Sequence, residues 1–161
     1  MTVDPGAAAK LRRLTRRLDW GSIGLGLTLP WLLQWGVEIV HRHRPPAEVF
    51  DGLWLRLFAP GSGVLLLTGL GAAPFIVYAL FALFHLGLAD RQGDSIARLR
   101  LHGLLVAGVA MTACAVWGHV SILTARGSTA GLGLLFLPFL VLFAAAPGYA
   151  LGRWLGRRRL R

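Results

Sequence analysis

Residues 132–155 read LGLLFLPFLVLFAAAPGYALGRWL, twenty-four positions of which only Arg153 is charged. As an α-helix this run extends about 36 Å at 1.5 Å per residue, more than the ~30 Å hydrocarbon core of a bilayer requires. A run this long with one charge at its end reads as a transmembrane span, not as a core helix of a water-soluble domain. Three similar runs precede it, at about Trp20 to Val40, Gly63 to Ala89 and Leu101 to Ala125. Each supplies the ~20 residues a crossing needs, and tilt absorbs the surplus in the second. The expected fold class is an all-α integral membrane protein, with residues 1–161 forming a single four-transmembrane-helix bundle.

The rest of the composition agrees. The chain is 55% hydrophobic and 15% charged, against about 25% charged in soluble domains, and its mean hydropathy is +0.62. Lys10 is the single lysine and asparagine is absent, which together with abundant Ala, Gly, Leu and Arg points to a GC-rich bacterial coding sequence. Cys114 lies inside an apolar run, has no partner for a disulfide or metal cluster, and reads as a small buried hydrophobe.

The net charge of +10 would suggest nucleic acid in a soluble protein. Here the basic residues sit at the ends of the spans, where they report topology and contact with anionic lipids, so no nucleic-acid partner is expected. Thirteen of the seventeen fall on one side: Lys10, Arg12, Arg13, Arg16, Arg17, Arg91, Arg98, Arg100, Arg153, Arg157, Arg158, Arg159 and Arg161. Arg42, Arg44, Arg56 and Arg126 fall on the other. The positive-inside rule then places both termini in the cytoplasm, in a multi-pass protein of the inner (cytoplasmic) membrane.

Two shorter helices are expected at the surfaces. Asp4-Pro5 is a helix start, and Leu11, Leu14 and Leu18 form one stripe among Lys10, Arg12, Arg13, Arg16 and Arg17, so residues 5–19 read as a basic amphipathic helix lying on the membrane. The apolar stretch after the paired arginines is too long for a signal h-region and lacks a small-x-small cleavage site, so it is expected to stay in the protein. On the outer side, Val49, Phe50, Leu53, Trp54, Leu57 and Phe58 repeat at helical spacing after Pro45-Pro46. Residues 47–58 therefore read as an in-plane interfacial helix ended by Pro60-Gly61. The short Arg126 to Gly131 loop makes the last two spans antiparallel neighbours.

Helices in lipid gain little from hiding apolar surface and associate where small residues let backbones approach. Ala144, Gly148, Gly152 and Gly156 are spaced by four on one face of the last span, a helix-packing interface whose partner is either internal or another chain. Gly69 with Ala73, and Gly21, Gly24 and Gly26, are smaller versions. Pro30, Pro74, Pro138 and Pro147 read as ordinary kinks of membrane helices.

Few polar residues remain to carry chemistry. Gln34, Glu38 and Arg42 share a face of the first span. Glu38 reads either as an interfacial acid paired with Arg42 or as a proton- or cation-binding carboxylate oriented by Gln34. His85 and His102 lie near the cytoplasmic face, and His119 toward the level of His41 and His43. Paired imidazoles on a four-helix bundle can hold b-type haem. However, His102 and His119 are 17 residues apart, about 25 Å along one helix and about 100° out of phase. No cofactor is therefore expected, and the alternatives are an interfacial residue for His102 and interhelical hydrogen bonds for His85 and His119. No HExxH, GxSxG or phosphate-loop motif occurs, so the chain is not expected to be an enzyme.

Three functions fit these residues. The first is a non-catalytic accessory or structural subunit of a larger membrane complex, or a homo-oligomer, resting on the glycine face. The second is a small transporter or channel using Glu38 and Gln34, with His119. The third is haem electron transfer through His85, His102 and His119.

Overall fold

The computed structural model describes residues 5–58, 64–89, 94–125 and 130–159. All of the regular structure among them is helical: α1 (Pro5–Gly36), continued by a π turn (Val37–His41), then α2 (Pro46–Phe58), α3 (Val64–Ala89), α4 (Asp94–Thr124) and α5 (Ala130–Arg159). Four of these are long and apolar enough to cross a membrane, over Arg16–His41, Thr68–His85, Ile96–Thr124 and Leu132–Arg158. The Pro60-Gly61 terminator and most of the loop before α5 lie outside the described residues.

Alanines are prominent in the core, and many large apolar side chains lie on the surface. Ala72, Ala79, Ala82, Ala97, Ala107 and Ala115 are buried, whereas Phe84, Val109, Trp117, Phe136 and Phe143 are each more than 60% exposed. Water drives the reverse arrangement, and a soluble protein rarely tolerates apolar patches of this extent. The larger buried residues, Leu104, Met111 and Val141, fill the centre where α3, α4 and α5 meet.

α4 and α5 pack along their whole length in one antiparallel register. A Cβ on Gly156 would lie 3.1 Å from Leu99, one on Gly152 would collide with the His102 carbonyl and lie 2.8 Å from Gly103 Cα, and one on Gly148 would lie 2.9 Å from Ala107 Cα. Each step of four residues up α5 is matched by four down α4. The same register returns at the other end, where Gly118 faces Leu137 and Gly133 faces Ile122. The Ala144, Gly148, Gly152 and Gly156 face is thus occupied by α4 of the same chain. A second pair forms between α1 and α3: a Cβ on Gly26 would be 2.7 Å from Phe75 Cβ, and one on Gly71 3.1 Å from Pro30 Cγ.

The expected surface helix over residues 5–19 is not a separate element. α1 runs unbroken from Pro5 to Gly36, and a continuous helix cannot lie in the membrane plane over its first turns and cross the bilayer over the rest. Nothing between Arg17 and Trp20 breaks a helix, and the Ser22 hydroxyl donates a 2.6 Å hydrogen bond to the Leu18 carbonyl across the expected junction. The stripe of leucines shows which face is apolar and leaves the direction of the axis open.

At the far end α1 widens before it stops. Arg42 N–H donates to the Val37 carbonyl and Arg44 N–H to the Glu38 carbonyl, each at 3.1 Å. His43 adopts a left-handed conformation with φ 54° between them, the usual way to capture orphan carbonyls at a helix end. Pro46 then opens α2, whose Val49 is buried and whose Phe50 ring lies 4.3 Å from that of Trp35. The helix expected over 47–58 is therefore present and leans on the end of α1.

Candidate functional site

The residues best placed for chemistry sit at the end of the bundle that carries the start of α1 and the end of α5. Tyr149 and Arg153 each follow a glycine of the α5 packing face, so they occupy the stripe next to it. The glycines press α5 onto α4, and the two neighbouring side chains must cross α4. They do so at Gly103, where a Cβ would be 2.7 Å from Tyr149 Cε2 and 3.0 Å from Arg153 Cγ.

Both side chains head for the last turns of α3. The Tyr149 ring centroid lies 5.8 Å from His85 and meets Phe81 edge-on at 6.0 Å, with the Arg153 guanidinium carbon 5.9 Å from the Tyr149 centroid. His85 is itself held between Phe81, at 4.1 Å, and Phe84, at 6.1 Å. From α4, Arg100 Nη1 donates a 3.0 Å hydrogen bond to the His85 carbonyl. A cation suits this place, because the last turns of a helix carry its negative end.

Three polar atoms in this cluster are out of reach of solvent and have no hydrogen-bond partner: His85 Nδ1, Tyr149 Oη and Arg153 Nε. Each such atom costs about 1–3 kcal/mol if left unmet, and more where the group is charged. The carboxylates whose side chains are described, Glu38, Glu48 and Asp51, all lie on the π turn and α2 at the opposite end. The unmet groups of the cluster are a guanidinium, a phenol and an imidazole, hydrogen-bond donors that complement an oxyanion.

The residues singled out in the sequence fall elsewhere or act singly. Glu38 Oε1 is 2.6 Å from Arg42 Nη1, and Oε2 is 3.6 Å from Arg44 Nη1. The carboxylate is therefore engaged by two arginines at the α2 end, and Gln34 lies one turn further into the bundle. His102 Nδ1 bonds the Arg98 carbonyl at 2.9 Å, and the residue lies against Gly156.

His119 was expected to bond across helices and does not: its Nδ1 bonds the Ala115 carbonyl of its own helix at 2.8 Å. It borders a cavity of about 20 Å³ shared with Gly71, Pro74, Leu137 and Pro138, room for about one water molecule. The His85 ring makes no interhelical hydrogen bond either; that bond goes to its backbone carbonyl. Among the described residues no three His, Cys, Asp or Glu side chains converge as metal ligands.

Sequence reasoning counted Arg100 and Arg153 only as topological charge and passed over Tyr149. The available signal was the Tyr149–Arg153 pair, four residues apart beside a glycine ladder and inside an apolar span. Set against known protein families, curated proteins and solved structures, the chain matches none of them.

Proposed function

We propose that the chain is a multi-pass protein of the cytoplasmic membrane, with both termini in the cytoplasm, acting as a non-catalytic subunit of a larger membrane assembly. The orientation rests on the thirteen-to-four division of basic residues. The subunit reading no longer rests on the α5 glycine face, which α4 covers. The observation that carries it is a groove of about 490 Å³ left between α1, α3 and α4, where Gly21, Ser22, Gly108, Thr112 and Ala113 lie among larger lining residues that include Arg17, Leu25, Phe75, Tyr78 and Val109.

Small residues at helix surfaces favour close association in lipid, and here they line a seam that no helix of the chain closes. A Cβ added to Gly21 or Gly24 would meet nothing within 4 Å. The hydroxyls in the seam are already satisfied, Ser22 by the Leu18 carbonyl at 2.6 Å and Thr112 by the Gly108 carbonyl at 2.8 Å. What remains is mostly apolar, which suits a transmembrane helix of a partner better than a path for a polar solute. The transporter reading has weaker support, since its candidate acid, Glu38, is held by Arg42 and Arg44.

The test is native mass after purification in mild detergent, for the wild type and for Gly21→Leu and Ala113→Phe, which fill the seam. The wild type should migrate well above the 17.4 kDa chain. Both variants should release the same partner without a change in their own thermal stability. A wild-type monomer whose seam holds only lipid would overturn the reading.

A further inference from the structure

The cluster at His85, Arg100, Tyr149 and Arg153 plays no part in closing the α1–α4 seam. We propose that it is a binding site for a phosphate group, supplied by the headgroup of an anionic phospholipid.

The donor set selects an anion. Arginine can only donate, and Arg153 makes no ion pair with any described residue while its Nε is buried and unmet. Tyr149 Oη and His85 Nδ1 are buried and unmet beside it. A single ligand with several acceptor oxygens satisfies all three atoms and neutralises the guanidinium charge. Phosphate does this with charge-assisted bonds, and a guanidinium fork matches its geometry. The Arg153 guanidinium beside Tyr149 disfavours a cation here.

The surroundings select a lipid. The site lies within about one turn of the end of α3 at Ala89 and beside the arginine-rich end of α5, close to the depth of a headgroup. Directly along α3 from His85, Phe84, Phe81, Leu80 and Val77 are exposed at 66%, 44%, 62% and 49%. A phospholipid whose phosphate sits on Tyr149 and Arg153 lays its acyl chains over this aromatic and aliphatic surface. Basic pockets between helices on the cytoplasmic side of membrane proteins take anionic headgroups for the same reason. Tyr149 and Arg153 are seated over Gly103, so these two side chains lose little freedom on binding.

The experiment is delipidated full-length protein in detergent, titrated with phosphatidylglycerol, phosphatidylcholine or inorganic phosphate, and read by native mass spectrometry and melting temperature. Phosphatidylglycerol should bind about tenfold more tightly than phosphatidylcholine and raise the melting temperature. Arg153→Gln should lose that preference. Tyr149→Phe keeps the ring over Gly103 and should weaken phosphatidylglycerol several-fold, which keeps the proposal testable if Arg153→Gln does not fold. Arg157→Gln, an exposed arginine at the end of α5, should bind as the wild type does.

If inorganic phosphate stabilises the wild type as strongly as the lipid, and Arg153→Gln abolishes it, the phosphate site stands and its source is soluble. Equal lipid affinity in wild type, Tyr149→Phe and Arg153→Gln overturns the proposal, because the attraction is then only that of a basic surface.

Discussion

The hydroxyl of Tyr78 on α3 donates a 2.6 Å hydrogen bond to the backbone carbonyl of Leu104 on α4. It reaches that carbonyl across Gly108, where a Cβ would lie 3.1 Å from the hydroxyl oxygen. Leu104 is fully buried, so the bond forms in the driest part of the molecule. Interhelical hydrogen bonds in membrane proteins contribute about 0.6 kcal/mol on average and up to about 1.7. Tyr78→Phe should therefore destabilise the bundle by roughly 0.5–1.5 kcal/mol while leaving its helicity intact. Thermal unfolding in detergent, followed by circular dichroism, reads both. No change in midpoint would mean that the bond contributes nothing.

The α4–α5 register predicts a graded response to adding one methyl group. Gly152→Ala meets backbone atoms of His102 and Gly103 and should be the most damaging, with Gly148→Ala next, at about 1–3 kcal/mol each. Gly156→Ala presses on the flexible end of Leu99, at 3.1 Å, makes ordinary contact with His102 at 3.4 Å, and should cost well under either. Gly69, in α3, has nothing within 4 Å of its added Cβ. Gly69→Ala should raise stability by about 0.5–1 kcal/mol through helix propensity alone. A flat response across the four variants would contradict the packing described.

Topology has a direct measurement. Alkaline phosphatase fused after Arg161 should be inactive, and the same enzyme inserted at Asp51 in α2 should be active. The reverse pattern would place the thirteen basic residues outside.

The purified protein should show no Soret band. His119 faces a cavity of about 20 Å³, and the groove of about 490 Å³ is lined by no histidine. A macrocycle fits neither the first by size nor the second by ligation. A Soret band abolished by His102→Ala or His85→Ala would reinstate electron transfer.

Much of the fold could be read from the chain because long apolar runs are a simple code. The four apolar runs mark four helices almost by length alone, and the spacing of Gly148, Gly152 and Gly156 marks a face where another backbone must lie. Register arithmetic does not name the partner. That α4 and not a second chain fills the face depends on Gly103 and Ala107 being small at matching heights, a coincidence of two helices that one helix's spacing does not contain. The continuity of α1 was hidden for a different reason. A change from basic to apolar composition near Trp20 marks a change of surroundings, and the backbone needs no break there. At the candidate site, Arg153 reads as a topological charge until Gly103 turns it inward beside Tyr149. The histidines were prominent for their rarity in apolar helices, yet two of them bond carbonyls one turn back, a local choice that no sequence period reveals.

The matched glycine register between α4 and α5 also bears on how the chain is built into the membrane. These two helices are joined by a short loop and meet over their full length, and α1 with α3 forms the other close pair. Each pair can settle on its own, leaving the contacts of α3 with α4 and α5, among them Tyr78 to Leu104, to be made when the halves meet. During synthesis the first half is complete while the second is still being made, so the α3 face bearing Tyr78 and Ala82 must wait without its partner helices. Two separately expressed fragments, residues 1–89 and 94–161, should then find one another and co-purify. Replacing Gly152 by leucine should abolish that rescue by spoiling the second half before it docks. A chain interrupted after α3 would present its polar hydroxyl and bare alanine face to the bilayer, a state that membrane quality-control proteases are suited to recognise.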